Sequence, residues 1–178
     1  MQPRAMSYNG LNLLFNLAVP IALATIAQMV IMAVNDLDLS MGTFVSFAAC
    51  VTAVYMPQQP VFACLILACA VGVYALLGVI ITLRDLPSIV VTLGMSFVWG
   101  GLAVLILPAP GGEAPAWLRA VLISKPPMVP MAIVASVVIA VVSHLLIMRS
   151  TFGVLLRGVG GNSRSVARAG WSVLALKG

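Results

Sequence analysis

The sequence predicts an all-α integral membrane protein, built as a bundle of about five transmembrane helices with a cytoplasmic C-terminal tail. Of the 178 residues, 62% are hydrophobic and only 7% are charged, whereas a soluble domain carries roughly a quarter charged residues. Several apolar stretches approach the ~20 residues that a helix needs to cross a bilayer. A helix also satisfies its own backbone hydrogen bonds, which lipid does not do. Together these observations exclude a soluble enzyme and a secreted domain.

Five apolar stretches predict the helices, and in chain order they are 11–34, 41–55, 61–83, 88–107 and 128–148. The second stretch is shorter than a full span and rich in small residues. Turn-forming residues separate the stretches, at 35–40, 57–60, 84–87 and 108–127. The whole chain, 1–178, is therefore expected to be a single transmembrane domain, in which 149–178 form a cytoplasmic loop and a short interfacial helix.

The basic residues predict the orientation of this bundle, because Lys and Arg collect on the cytoplasmic side of membrane proteins. With the tail inside, the cytoplasmic side also receives 35–40 and holds Arg84, Arg149, Arg157, Arg164, Arg168 and Lys177. The outer side then holds the N-terminus with Arg4, Arg119 and Lys125. This bias also explains the net charge of +5. No basic stripe interleaved with aromatics is present, so lipid and not nucleic acid is the expected partner.

Two acidic residues, Asp36 and Asp38, lie next to apolar stretches. A carboxylate inside a membrane is costly, which suggests a proton relay or an ion ligand. The alternative is structural, with Asp38 and Ser40 capping the helix that follows. The chain has no Walker loop, no paired nucleophile and base, and no zinc-type cysteine spacing. We therefore expect no enzyme activity, no metal site and no cofactor bound by this chain.

The tail predicts a short helix with a signal at each end. Gly160 and Gly161 permit a tight turn. Asn162 is suited to cap a helix over 163–169, and Gly170 would end that helix. Such an element fits a docking helix on the cytoplasmic surface, and it fits an ordinary amphipathic interfacial helix as well.

Four segments of the chain match the motifs of one family. Residues 38–42 read Asp-Leu-Ser-Met-Gly, like the motif DLSxG, and 87–94 resemble P-x-[FI]-x-x-T-L-G. Residues 152–170 resemble a cytoplasmic FG…GGN…SGI loop, and 12–16 resemble an N-L-x-N helix start. In order and separation, these segments resemble the permease subunits of ribose-type ABC sugar importers over essentially the whole chain.

The resemblance implies a permease subunit that forms the translocation pathway of an ATP-driven importer in the bacterial inner membrane. The substrate would be a monosaccharide of the ribose, xylose, arabinose or galactose kind. A second permease subunit would complete the pathway, and an extracytoplasmic sugar-binding protein would deliver the sugar. Cytoplasmic ABC ATPase subunits would hydrolyse ATP with magnesium.

The same resemblance assigns residues to two sites. The coupling helix, which sits in a cleft of the ATPase, would be formed with Gly160, Gly161, Asn162, Ala167 and Gly170. A discontinuous helix beside the translocation pathway would include Asp38, Leu39, Ser40, Gly42, Thr92 and Gly94. Broken helices of this kind are common at transport sites.

The chain departs from the family pattern in two respects. Family members are nearly twice as long, so the chain is expected to be a truncated permease that lacks the second half and is unstable without a partner chain. In the coupling helix, Ser163, Arg164 and Ser165 replace the usual acidic and small residues, and Trp171 replaces a smaller aliphatic residue. These replacements bear directly on how the helix would dock.

Two other functions fit the sequence. One is a non-transporting membrane remnant that inserts and interacts with other subunits. The other is a small gradient-driven transporter in which Asp36 or Asp38 binds a proton or a cation. The first predicts insertion without uptake, and the second predicts uptake that needs no ATPase.

Overall fold

The computed structural model describes residues 8–123 and 131–177, and every regular element in these ranges is helical. The elements are α1 (Tyr8–Ala33), α2 (Met41–Tyr55), α3 (Pro60–Arg84), α4 (Ser88–Ile106), α5 (Ala116–Ile123), α6 (Met131–His144), a π-helical turn (Leu145–Arg149), α7 (Thr151–Arg168) and α8 (Val173–Lys177). The all-α prediction is confirmed. Arg4, Lys125 and the start of the fifth predicted stretch lie outside the described residues.

Local sequence signals set the helix boundaries. Pro60 occupies the first turn of α3, where its missing N–H costs no hydrogen bond. The same helix ends at Arg84, and Asp85 follows in the left-handed conformation with a φ of 51°. Pro87 then precedes α4 in an extended conformation. The break between α3 and α4 is thus short and sharply defined.

Length and apolar composition indicate which helices of the described part of the chain can cross a bilayer. Within the described residues, α3 and α4 are long and apolar enough to do so. A third candidate is the pair Ile133–Arg149 and Thr151–Arg168, which bends by 60°. α2 is apolar but shorter, and Ala18–Ala33 is the apolar part of the 26-residue helix α1 over which the side chains are described. The rise of α2 is only about 22 Å, against a hydrocarbon thickness of ~30 Å, because the chain before Met41 is not helical.

The main core lies between α2, α3 and α4. Its buried members are two residues from each helix: Phe47, Val51, Ala63, Ala70, Trp99 and Ala103. The Trp99 ring lies 5.1 Å from the ring of Phe44 and 5.1 Å from that of Phe47, between centroids. The small side chains of Ala63 and Ala70 therefore let α3 pack closely in this core. The ring contacts of Trp99 with Phe44 and Phe47 join α4 to α2.

The outward faces of these helices are apolar. Val61 is 74% exposed, Phe97 is 74% exposed and Leu105 is 79% exposed. Faces of this kind are unfavourable in water and are covered by lipid or by another membrane chain. Together with the apolar helices, they identify a multi-pass membrane protein.

The helices bring the connecting segments to two ends of the bundle. One end, here called the basic end, consists of 34–40, 84–88 and 149–177. It carries five described arginines, namely Arg84, Arg149, Arg157, Arg164 and Arg168. The opposite end carries Arg119, and there the backbone N–H of Glu113 donates to the carbonyl of Ala53 at 3.2 Å. That the basic end faces the cytoplasm stays a prediction.

Candidate functional site

The predicted cap of the tail helix is present at Asn162. This residue interrupts α7 with an extended conformation, at φ −158° and ψ 92°. Its side-chain oxygen accepts a hydrogen bond from the backbone N–H of Ser165 at 3.1 Å. Because the first N–H groups of a helix have no partner within it, this bond stabilises the start of a new short helix.

The other end of this short helix closes at Gly170. The N–H of Gly170 donates to the carbonyl of Ala167 at 3.0 Å, and the N–H of Trp171 donates to that of Val166 at 3.3 Å. Gly170 has a φ of +88°, and this pattern is the Schellman motif, which favours glycine at that position. Residues 163–168 thus form a helix with a defined cap at each end, here called the capped helix.

The predicted tight turn at Gly160 and Gly161 is wrong, because both residues lie in the helical part of α7 and the chain bends at Asn162 instead. A Cβ on Gly160 would overlap the carbonyl oxygen of Ala33. A Cβ on Gly161 would meet nothing within 4 Å in the described part of the chain. Gly160 therefore permits α7 to touch the end of α1, and Gly161 does not share that role.

A second buried cluster surrounds this contact. Val34 is 7% exposed, Leu156 is 1% exposed and Val159 is 3% exposed. Val166 of the capped helix packs against these residues, as do Val173 and Leu176 near the end of the chain. The capped helix is thus connected through apolar packing to the segment that follows α1.

The bend between α6 and α7 depends on residues that the sequence reasoning missed. Ser150 accepts a hydrogen bond from the N–H of Gly153 at 3.2 Å and donates to the carbonyl of Leu146. A Cβ on Gly153 would overlap the backbone of Ile147. The guanidinium of Arg157 donates to the carbonyl of Ile147 at 2.7 Å. A cation at the end of a helix also interacts favourably with the helix dipole.

The break between α1 and α2 is held against the start of α4. Leu39 donates its backbone N–H to the hydroxyl of Thr92 at 3.1 Å, and Leu37 donates to that of Ser88 at 3.4 Å. Thr92 in turn donates to the carbonyl of Ser88 at 2.8 Å. Two of the segments singled out in the sequence, 38–42 and 87–94, are therefore in contact. The Leu39 side chain itself is 48% exposed.

Asp38 and Ser40 form a buried polar group, with exposures of 8% and 1%. The Asp38 carboxylate accepts both the N–H and the hydroxyl of Ser40, each at 2.7 Å. The Ser40 hydroxyl also lies 3.0 Å from that of Tyr74. The expected capping of α2 by the Ser40 side chain is not observed, because that hydroxyl bonds Asp38 and Tyr74 instead. The only sequence signal for Tyr74 was a hydroxyl group within an apolar stretch.

A cavity of about 190 Å³ opens beside this group. Its polar lining consists of Asp36, Asp38, Ser40, Tyr74, Thr82, Ser88 and Thr92. Apolar side chains of α1, α3 and α4 complete the wall, and no basic side chain is among the described residues that line it. Such a lining offers hydroxyl and carboxylate groups to an uncharged, hydroxylated molecule.

The remaining predicted site residues are exposed. Gly42 and Gly94 lie on helix surfaces where an added Cβ would meet no described atom within 4 Å. Nothing in the structure explains why glycine stands at these two positions. Ala167 is exposed on the outward side of the capped helix.

Comparison with known proteins places the chain in a family. The family model described as "Branched-chain amino acid transport system / permease component" matches residues 10–177. Searches of curated proteins and of solved structures gave no match. The matched range contains the break before α2, the start of α4 and the capped helix. The chain therefore belongs to the family of branched-chain amino acid transport system permease components, and it is an ABC transporter permease component.

Proposed function

We propose that the chain forms part of the translocation pathway of an ATP-driven importer, and that its substrate is a monosaccharide. The capped helix is the observation that carries this proposal. It is a short, exposed element with a hydrogen-bonded cap at each end, and it lies at the same end of the bundle as the break between α1 and α2. An exposed, doubly capped element of this kind is suited to receive a movement from a cytoplasmic ATPase.

The contacts supply a route from that element to the cavity. Val166 of the capped helix packs against the buried cluster that includes Val34, and Gly160 of α7 touches Ala33. The segment after Ala33 leads directly to Leu39, which is bonded to Thr92 at the cavity. A displacement of the capped helix therefore acts on the cavity lining through packed side chains and hydrogen bonds. Two-state movement of such packed elements is the usual basis of coupling.

The cavity favours a sugar over an amino acid. A zwitterionic amino acid would pair its ammonium group with Asp36 or Asp38, but no basic side chain among the described lining residues is placed to bind its carboxylate. An uncharged sugar needs only hydroxyl and carboxylate partners, which Ser40, Tyr74 and Thr92 provide together with the two aspartates. The matched family is described by branched-chain amino acid transport, and a branched-chain amino acid is therefore the second candidate substrate.

The proposal includes partner chains. Cytoplasmic ABC ATPase subunits would bind ATP and magnesium, a second permease subunit would complete the pathway, and an extracytoplasmic binding protein would deliver the sugar. The inner membrane of a bacterium is the proposed location. A gradient-driven mechanism is less well supported, because the Asp38 carboxylate is already engaged by the N–H and the hydroxyl of Ser40.

Uptake in cells tests this proposal. Cells lacking the gene, with and without a plasmid carrying it, are supplied with radiolabelled ribose, xylose or leucine. We expect plasmid-dependent uptake of a pentose that stops on ATP depletion and continues with a protonophore when ATP is maintained. Uptake of leucine alone would favour the second candidate. Uptake that stops with the protonophore at constant ATP, and is lost in Asp36→Asn with Asp38→Asn, would support the gradient-driven alternative.

A further inference from the structure

The outward side of the capped helix is basic. Arg164 and Arg168 are both exposed, and their spacing of four residues places them on the same side of a helix. Trp171 follows the Schellman motif and is 50% exposed. The sequence has no Asp or Glu from Arg149 to its end. This surface, here called the Arg-Trp surface, therefore carries positive charge with no acidic residue of its own segment to offset it.

The packing of the capped helix argues against insertion into lipid. An interfacial helix binds a bilayer by burying an apolar face among the lipid chains. Val166, the one large apolar side chain of the capped helix, packs instead against Val34, Leu156 and Val159 inside the protein. The positions that remain exposed are Arg164, Ser165, Ala167 and Arg168. A side with two arginines, a serine and an alanine, and with Trp171 as its one large described apolar group, fits a protein surface better than a hydrocarbon interior.

We propose that the Arg-Trp surface binds an acidic cleft on the ATPase partner, so that charge pairing at Arg164 and Arg168 determines which ATPase the chain accepts. This inference rests on the proposed function and adds to it the chemistry of the partner surface. Arginine and tryptophan are the residues most enriched among those that dominate interface energies. Complementary charges raise the association rate and exclude wrong partners, and their effect weakens as salt screens them.

The test compares charge variants of the full chain in native membranes. Membranes are photolabelled with azido-ATP, the tagged chain is purified in mild detergent, and the labelled ATPase subunit retained with it is measured over a series of KCl concentrations. The variants are Arg164→Glu with Arg168→Glu, and Arg164→Gln with Arg168→Gln. The matched control is Arg119→Glu, an exposed arginine at the opposite end. Gel filtration establishes that each variant is folded and monodisperse.

We expect the double Glu variant to retain at least about tenfold less labelled subunit than the unmodified chain, because like charges would then face each other across the interface. The double Gln variant should retain an intermediate amount of labelled subunit, and this amount should depend less on the KCl concentration. Arg119→Glu should match the unmodified chain. Equal retention in all variants would overturn the inference while leaving the proposed function in place.

Two further outcomes are distinguished in the same preparation. Native mass spectrometry measures bound phosphatidylglycerol; loss of this lipid in the double Glu variant with unchanged ATPase retention would assign the surface to anionic lipid and overturn the inference. Absence of any labelled subunit with a folded, unmodified chain would contradict the proposed function itself, and the inference would fail with it.

Discussion

Gly160 and Gly161 are neighbours in the sequence and differ in what surrounds them. Gly160 is half-buried against the backbone of Ala33, whereas Gly161 is exposed with no described atom in reach of an added Cβ. A methyl group at the first position must therefore push α7 away from α1. At the second position it only reduces the flexibility of the unfolded chain and favours the helix.

The first prediction uses this difference. We expect Gly160→Ala to destabilise the protein by about 1–3 kcal/mol, the usual cost of adding a group to a packed site. Gly161→Ala should be neutral or stabilising by up to ~1 kcal/mol. Thermal unfolding followed by size-exclusion chromatography in detergent measures both variants. Equal midpoints for the two would contradict the close contact between α7 and α1.

A second prediction concerns the cap at Asn162. Asn162→Ala removes the acceptor for the N–H of Ser165, and loss of such a cap costs about 1 kcal/mol. We expect faster hydrogen exchange over 163–168, measured by mass spectrometry of the purified chain. Asn162→Ser, which keeps a side-chain oxygen at the cap, should stay near the unmodified rate. If both variants exchange alike, the side-chain oxygen does not stabilise the capped helix.

Features that depend on neighbouring residues were predictable from the sequence. The cap at Asn162 and the stop at Gly170 involve hydrogen bonds that span three to five residues. The bond between Ser40 and Tyr74 was not predictable, because 34 residues separate the two and the pattern before Met41 also suits an ordinary helix cap. The role of Gly160 was not predictable for the same reason, because the residue that it contacts in space, Ala33, is distant in the sequence.

At the scale of the elements, the start of α4 holds the break between α1 and α2 in position. Thr92 accepts from Leu39 and donates to Ser88, so that a single hydroxyl joins two segments. The break has few backbone hydrogen bonds of its own. The side-chain bonds from α4 replace the backbone hydrogen bonds that a continuous helix would make there.

The third prediction removes that hydroxyl. Thr92→Val keeps the shape of the side chain but removes the acceptor for the N–H of Leu39, and because this hydrogen bond is exposed its loss costs about 0.5–1.5 kcal/mol. We expect hydrogen exchange at Leu39 to rise by about two- to tenfold, since each 1.4 kcal/mol corresponds to a factor of ten. Thr92→Ser serves as the control that keeps the acceptor. Unchanged exchange in Thr92→Val would show that other contacts hold the break.

The apolar stretches predicted which segments are helical, and α2, α3 and α4 begin within one residue of the expected positions. The bend between α6 and α7 was not predicted. It depends on the fit of Gly153 against Ile147 and on the bond from Arg157 to the same carbonyl group. Hydrophobic periodicity does not report such contacts, because they involve the backbone of one helix and a side chain of the next.

At the scale of the whole molecule, the distribution of arginine predicts how the bundle sits in the membrane. The basic end should face the cytoplasm, and the turn at Gln58 should face outward. In a chain whose three cysteines are replaced by alanine, Gln58→Cys should react with an impermeant maleimide in intact cells. Ser165→Cys should react only after permeabilisation. The reverse pattern of labelling would contradict this orientation and, with it, the docking of a cytoplasmic ATPase.

Photo-crosslinking in native membranes measures whether the capped helix contacts an ATPase subunit. A photoreactive phenylalanine derivative is placed at Ala167, on the exposed side of the capped helix, or at Ala120, an exposed position at the opposite end. We predict an adduct with an ATP-binding subunit from position 167 and none from position 120. Adducts from position 167 with lipid alone, or an ATPase adduct from position 120, would contradict the docking of the capped helix on an ATPase.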